Sequence, residues 1–159
     1  MQVNEVNEQS IDPQGGKIVR TKEGKLSGYF LDTEQELIKQ GIPEVTEDYL
    51  IKAIQTSIDD LLQYGLVGGH SEDLNYYGGF TKTLHAFEKA IDGDKRKFRA
   101  HLLVHHEVQE DMENEGFGYG AGAEFVNLGA IKVFADGALG GRTAWLSEPY
   151  ADDSDNVGL

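Results

Sequence analysis

One lysine in this sequence lies inside an apolar run, where a charged side chain needs a chemical or structural reason. Lys132 is flanked by Ile131 and Val133, with Phe134 beyond. If the run is a β-strand, burial disfavours the charged ammonium and favours the neutral amine. A neutral amine can form a Schiff base, act as a general base, or take up carbon dioxide to give a carbamate ligand for metal. A lysine that pairs with a buried carboxylate or reaches past the strand end is the structural alternative.

A glycine-rich loop follows this lysine. It contains Asp136, Gly137, the pair Gly140–Gly141 and the pair Arg142–Thr143. We expect the glycines to turn the backbone through positive φ, and the Arg-Thr pair to bind a carboxylate or phosphate. The Gly-Lys-Ser/Thr ending of a nucleotide-binding loop is absent. An Asp-Gly turn beside a surface arginine is the structural alternative.

Three of the five histidines lie at the ends of predicted strands. His70 ends the apolar run that starts at Leu66, and His105 and His106 follow the run from Phe98 to Val104. The carboxyl ends of strands are where β/α barrels carry their catalytic and metal groups, and His70 and His105 are the candidates for substrate contact. No His-x-His or His-Glu-x-x-His pattern occurs. His101, within a strand, is predicted to be structural.

Helices and strands alternate along the chain, which indicates an α/β fold. Two short β runs at 15–20 and 25–31 predict a hairpin, and helix signals cover 34–40 and the stretch from Thr46 to Gly65. The later elements are a buried strand at 66–70, a helix ending at Asp92–Gly93, a strand at 98–104, a helix at 107–115 and a strand at 128–135.

Composition excludes several classes of function. The 159 residues carry a formal net charge of −14, so a nucleic-acid backbone or an acidic membrane would be repelled. The chain has no cysteine, which excludes disulfides and thiolate metal sites. No apolar run approaches the ~20 residues of a membrane span, and no signal peptide is recognisable at the start. The sequence therefore predicts a cytoplasmic protein, weakly ordered over residues 1–10.

The stretch from Lys132 to Ala144, Lys-Val-Phe-Ala-Asp-Gly-Ala-Leu-Gly-Gly-Arg-Thr-Ala, resembles a signature of the metal-dependent amidohydrolase superfamily. The similar branch holds N-substituted formamide deformylases and proteins labelled exoenzyme regulatory proteins. The segments from Asp12 to Leu31 and from Ile42 to His70 resemble the same branch. The resemblance spans nearly the whole chain, from about Asp12 to Gly158.

The resemblance implies a β/α barrel hydrolase that uses one or two divalent metals, expected to be zinc, to activate water against an amide-type C–N bond. Lys132 corresponds to the fourth-strand position, where members place a carboxylated lysine that bridges two metals. Asp136, Gly137, Arg142 and Thr143, with His70 and His105, would then border a small amide-type substrate.

Several parts of the superfamily's metal shell are missing from the sequence. The first-strand His-x-His, the fifth- and sixth-strand histidines and the eighth-strand aspartate have no counterparts. We therefore interpret the chain as an internal fragment with a hairpin and short helix over 11–41 and about strands two to four of an eight-stranded barrel over 42–159. Such a fragment is expected to be inactive, to bind no metal and to self-associate through exposed barrel edges. A non-enzymatic α/β module that regulates or binds a partner is the alternative.

Overall fold

The computed structural model describes residues 6–12, 14–33, 35–39, 41–91 and 95–158. The chain divides into two compact units. One comprises Met1–Pro43 and Phe134–Leu159, and the other comprises Glu44–Val133. The sequence predicted weak order over residues 1–10 and domain boundaries that separate 11–41 from 42–159. Both stay predictions.

The first unit contains the expected hairpin. Strand β1, Gly16–Arg20, pairs antiparallel with β2, Leu26–Asp32, and a short helix α1 follows at Gln35–Lys39. Gly24 has a φ of 80° in the connecting turn, a conformation that costs glycine little. Ile18 is buried, so β1 contributes its apolar face to this unit.

The second unit begins with helix α2, Glu47–Gln63, whose start was predicted. The hydroxyl of Thr46 accepts a hydrogen bond from the backbone N–H of Tyr49 at 3.3 Å and so caps the helix. The apolar stripe packs inward, with Leu50 and Ile58 buried. Gly65, at a φ of 77°, ends the helix as its position indicated.

Three parallel strands follow, in the order β3-β4-β5. They are β3, Gly68–Ser71, β4, Arg99–His105, and β5, Val126–Lys132. Helix α3, Phe80–Ala90, connects the first two, and a 3-10 turn at His106–Val108 leads into α4, Gln109–Asn114. The observed architecture is thus a mixed α/β fold with parallel strands, as predicted.

One face of this sheet carries the core. Alternate residues of β4 point to it, and the core forms between that face and the apolar sides of the helices. Its largest fully buried side chains in this unit are Phe80, Leu74, Leu84, Leu102, Leu128, Val104 and Val126. The opposite face carries the odd-numbered residues of β4, including His101 and His105.

The elements differ from the predictions in three places. The strand predicted at 128–135 begins at Val126 and ends at Lys132. Val133 and Phe134 lie outside the ladder and are 64% and 49% exposed. The predicted buried strand at 66–70 is instead an exposed edge strand, with β4 on one side only. The helix predicted from Glu107 opens as a 3-10 turn.

The predicted limits at Glu34, Gln40 and Asp92–Gly93 lie outside the described residues. Among the helices that the structure describes, none is both long enough and apolar enough to cross a membrane.

Candidate functional site

The carboxyl edge of the parallel sheet brings two of the predicted residues together. Lys132 is the last residue of β5, and its register partner is His105, the last residue of β4. A register shift between Leu102 and Val104 adjusts the pairing so that these two ends meet. The sheet therefore places an amine and an imidazole on neighbouring strands at the edge where α/β folds build their sites.

Lys132 is half-buried, whereas the apolar run around it predicted a buried ammonium. The reason is the early end of β5. Because the strand stops at Lys132, the residues that follow do not continue the sheet over its side chain. The partial exposure of Lys132 differs from the full burial that was predicted, and its chemical role stays a prediction.

His70 lies deeper along the sheet than the sequence suggested. It pairs in register with His101, not with the strand-end residues, and the two rings are 4.7 Å apart between centroids, tilted by 43°. His101 is four residues before His105, about 13 Å along a strand. His70 is thus on the same sheet as the His105–Lys132 pair but is not register-paired with either.

His101 contacts two residues of the neighbouring strand β5. Its Nδ1 lies 2.5 Å from Oδ1 of Asn127. An amide oxygen only accepts, so Nδ1 donates. The tip of the ring points at Gly129, where a Cβ would lie 2.4 Å from Nε2. Glycine at this position therefore makes room for an imidazole that bridges β4 and β5.

His105 is held by groups from two loops. It is 6% exposed. Its Nδ1 accepts from the backbone N–H of Glu107 at 3.3 Å and lies 3.4 Å from Nδ2 of Asn75, which donates to the Glu107 carboxylate at 2.6 Å. The ring of Tyr76 packs edge-on against His105, with centroids 5.7 Å apart. The imidazole is thus fixed in orientation.

The loop after β3 contributes a carboxylate next to this ring system. The hydroxyl of Tyr76 donates to Oε1 of Glu72 at 2.8 Å. Burial, followed by that hydrogen bond to a carboxylate, raises the pKa of Tyr76 to about 12, so the phenol keeps its proton at neutral pH. Oε2 of Glu72 is buried and has no hydrogen-bond partner among the described residues. Ser71 and Asp73 also hydrogen-bond to each other in this loop.

In the other compact unit, the glycine-rich loop is folded by its own residues. Oγ1 of the buried Thr143 accepts from the N–H of Ala138 at 2.9 Å, and Asp136 accepts from the N–H of Trp145 at 2.8 Å. A Cβ on Gly137 would lie 2.3 Å from Oγ1 of Thr143. Glycine is therefore needed at position 137, because the backbone there lies too close to Thr143 to leave room for a side chain.

The prediction that the glycines of this loop adopt positive φ is wrong. Gly137, Gly140 and Gly141 do not have positive φ, whereas Arg142 does, at 57°. Its guanidinium pairs with the Asp152 carboxylate and lies 3.8 Å from the Asp153 carboxylate. These contacts, not glycine freedom, hold the turn. The substrate-binding role assigned to Arg142 and Thr143 stays a prediction.

A metal centre requires at least three protein ligands in a compact group. Within the part of the chain that the structure describes, no group of three or more histidine, aspartate or glutamate side chains is arranged to hold a metal ion. The described residues alone do not fit a complete metal site. The role of Lys132 as a metal ligand stays a prediction.

Sequence reasoning missed the residues that orient His105. Asn75 and Glu107 are 32 positions apart, and their contact depends on two loops meeting at the strand ends. A polar residue after each of two strands was the available signal, since parallel strands bring such loops to one edge.

Comparison with known proteins agrees with the sequence signature. A family model described as the amidohydrolase family matches residues 2–158. The protein YtcJ of Bacillus subtilis (strain 168), provisionally named an amidohydrolase, is 45% identical over 159 residues, which is 100% of this chain and 30% of YtcJ. The protein LONG AFTER FAR-RED 3 of Arabidopsis thaliana is 27% identical over 93% of this chain and 26% of its own length.

Two solved structures share the fold. A metal-dependent hydrolase of uncharacterised function from Pyrococcus horikoshii OT3 superposes with a TM-score of 0.66 at 28% identity, over 80% of this chain and 26% of that one. A corresponding protein from Pyrococcus furiosus gives a TM-score of 0.59 at 23% identity with the same coverage, and this likeness concerns the fold alone. The chain therefore spans less than a third of the length of each relative.

Proposed function

This chain belongs to the amidohydrolase family, and from that premise we propose that it is an internal segment of a metal-dependent hydrolase that cleaves a non-peptide amide-type C–N bond. The branch that holds N-substituted formamide deformylases suits the Lys132–Ala144 signature best. A small amide is the substrate class. The observation that carries the proposal is the register pairing of Lys132 with His105 at the carboxyl edge of the sheet.

The three parallel strands are proposed to be strands two to four of an eight-stranded β/α barrel. Their order follows the chain, and a helix or helical turn connects each to the next, as a barrel requires. In a barrel the face that lies away from the helices becomes the interior. This assignment puts the ends of β4 and β5 on the rim where barrel enzymes hold their reacting groups.

Lys132 is proposed to be a metal ligand as its carbamate. The Nζ lone pair attacks the carbon of carbon dioxide, the new N–C bond forms, and the nitrogen releases a proton to solvent, leaving a carboxylate-like anion. A half-buried strand-end lysine can carry this group, because the added oxygens can reach the space beyond the sheet edge. A divalent metal, when bound, would polarise the amide carbonyl and activate water.

We propose that the remaining ligands come from parts of the protein other than the residues described in this structure. The described residues contain no group of three ligating side chains, so we expect the isolated chain to lack hydrolase activity. Asp136, Gly137, Arg142 and Thr143 are proposed to shape a substrate-binding loop, and His70 and His105 to border the pocket.

The decisive experiment uses the longer protein and the variant Lys132→Ala. Its metal content, measured by inductively coupled plasma mass spectrometry, is expected to fall with its hydrolysis of an N-substituted formamide. Lys97→Ala removes an exposed lysine from the same unit and is the matched control. Retention of both metal and turnover by Lys132→Ala would overturn the assignment of Lys132 as a ligand.

A further inference from the structure

The tautomer of His105 is determined by its neighbours. Its side chain caps the 3-10 turn at His106–Val108 by accepting the backbone N–H of Glu107 at 3.3 Å. A backbone N–H can only donate. Nδ1 of His105 therefore carries a lone pair and no proton.

Asn75 supplies a second donor to the same nitrogen. Its Nδ2 lies 2.6 Å from the Glu107 carboxylate, and a carboxylate only accepts, so this end of the amide must be the NH₂ group. That group also faces Nδ1 of His105 at 3.4 Å. The Glu107 carboxylate lies 3.6 Å from Nδ1 and would form an ion pair only with a protonated ring. A proton on Nδ1 would oppose both donors, so the ring proton lies on Nε2.

The ring cannot easily leave this arrangement. Tyr76 packs edge-on against it, and the ring of His106 lies 4.5 Å away between centroids. With His105 only 6% exposed, rotation about its side-chain bonds would displace these neighbours. The Nε2–H group is therefore presented in one direction.

We propose that His105 is a positioning residue for Lys132, donating a hydrogen bond from Nε2–H to the carbamate carried by that lysine. This inference rests on the proposed function. Register partners on adjacent strands are about 5 Å apart in backbone position, so their side chains are neighbours on one face. A lysine ammonium has only donors and would meet Nε2–H unfavourably, whereas the carbamate has oxygens that accept it. The fixed tautomer thus favours the carboxylated form of Lys132.

The tautomer itself is tested on the present chain. Long-range ¹H–¹⁵N correlation spectra of the histidine rings at neutral pH are expected to show His105 with its proton on Nε2. The variant Asn75→Ala removes one donor to Nδ1 and is expected to increase the population of the other tautomer. A proton found on Nδ1 in the unmodified chain would overturn the proposal.

The effect on Lys132 is tested in the longer protein with two complementary variants. His105→Asn keeps a capping oxygen near the Glu107 N–H but lacks a donor at the Nε2 position. His105→Gln keeps an N–H near the Nε2 position but loses the cap. After labelling with ¹³C-bicarbonate, the carbamate signal is expected to fall in His105→Asn and to persist in His105→Gln. Metal affinity in His105→Asn is expected to drop about 10- to 100-fold, the usual effect of losing a contact that orients a ligand.

A purely structural role for His105 predicts the reverse order. The capless His105→Gln would then lower the melting temperature and the carbamate signal, while His105→Asn would leave both unchanged. That outcome would overturn the proposal. His85→Asn, at an exposed position on α3, is the control and is expected to change neither measurement. If Lys132→Ala removes the metal while His105→Asn does not weaken it, the inference fails and the proposed function stands.

Discussion

Lys132 and His105 form the last register pair of the β4–β5 ladder, beyond the point where the pairing shifts between Leu102 and Val104. Without that shift, the residue opposite His105 would change, and with it the face on which the lysine side chain lies. The irregularity in the ladder therefore decides which two groups meet at the sheet edge. Bulges that re-aim side chains are common beside functional sites.

The close approach of His101 to Gly129 predicts a specific steric effect. Gly129→Ala would put a Cβ 2.4 Å from Nε2 of His101, so it is expected to lower the free energy of unfolding by about 1–3 kcal/mol. Urea denaturation measures the loss. Gly140→Ala meets nothing within 4 Å and should change stability by less than about 0.5 kcal/mol.

Adding His101→Ala to Gly129→Ala removes the clashing ring. The double variant should therefore be less destabilised than the sum of the two single losses. Strict additivity would contradict the contact.

Element type was predictable from the sequence because each element has a local signal. The Thr46 cap, the apolar stripe with Leu50 and Ile58 and the stop at Gly65 lie within one helix, so α2 needed no tertiary information. The end of β5 did need it. Val133 and Phe134 are apolar and look like strand residues, yet they lie beyond the ladder and are largely exposed.

The site could be predicted only in part, for a related reason. Lys132 and His105 stood out as single residues at strand ends. Their pairing depends on register, and the contact between Asn75 and Glu107 depends on two loops that lie 32 residues apart. The spacing of residues along the sequence indicates neither the register of two strands nor the contact between two loops.

Thr83 carries a buried hydroxyl that opposes stability. It is 1% exposed on α3, and its Oγ1 has no hydrogen-bond partner among the described residues. Thr83→Val keeps the shape and removes the unpaired polar atom, so the free energy of unfolding should rise by about 1 kcal/mol. Thr81→Val, which removes a hydroxyl that donates to Glu115, should lower it by about as much. A loss of stability in Thr83→Val would show that the hydroxyl is paired in solution.

Arg142 combines a strained backbone with two ion pairs, and two substitutions separate these effects. Arg142→Ala and Arg142→Gly both remove the contacts to Asp152 and Asp153, but only glycine relieves the φ of 57°. The left-handed conformation costs a non-glycine residue about 1–2 kcal/mol, which glycine avoids. Glycine also has more conformational freedom in the unfolded state, and this cancels about 0.4–1 kcal/mol of that gain in stability. Thermal unfolding should therefore show Arg142→Gly as the more stable variant, by about 0.5–1 kcal/mol. Equal stability would argue against strain at this residue.

The ion pair between Glu47 at the start of α2 and Lys89 in the last turn of α3 predicts a pH dependence. A hydrogen bond from the Lys89 ammonium at 2.7 Å holds the pKa of Glu47 below its ordinary value. A lowered folded-state pKa stabilises the fold above the unfolded-state value near 4.5, and that contribution is lost as pH falls through the folded value. Glu47→Gln should thus lower the melting temperature at pH 7 and have little effect near pH 3.

Glu124→Gln, at an exposed loop position, controls for the change in net charge. An equal effect of Glu47→Gln at both pH values would contradict the ion pair. So would an equal effect of the two variants at pH 7.

The two edges of the parallel sheet predict how the isolated chain associates. The β5 edge is partly covered, because Gly120 donates to the Leu128 carbonyl and Leu128 donates to the Ala121 carbonyl, both at 2.8 Å. Among the described strands, β3 pairs with β4 alone. Arg99 donates to Val67 O, so in a parallel ladder Gly68 directs its N–H and C=O to the other side. An exposed row of backbone groups beside apolar side chains pairs readily with another strand. We therefore expect copies of the isolated chain to associate through β3.

Val67→Lys tests this expectation, since Val67 is 59% exposed beside the β3 edge. A lysine there must be desolvated when two edges pair, so the variant should remain monomeric at concentrations where the unmodified chain associates, as sedimentation velocity would show. Because the chain carries a net charge of −14, the added positive charge lowers the general repulsion between copies, and any loss of association must come from the edge. Tyr119→Lys makes the same charge change at a residue that is 80% exposed in the loop after α4, and it should associate like the unmodified chain. A Val67→Lys variant that associates as strongly as Tyr119→Lys would exclude β3 as the contact.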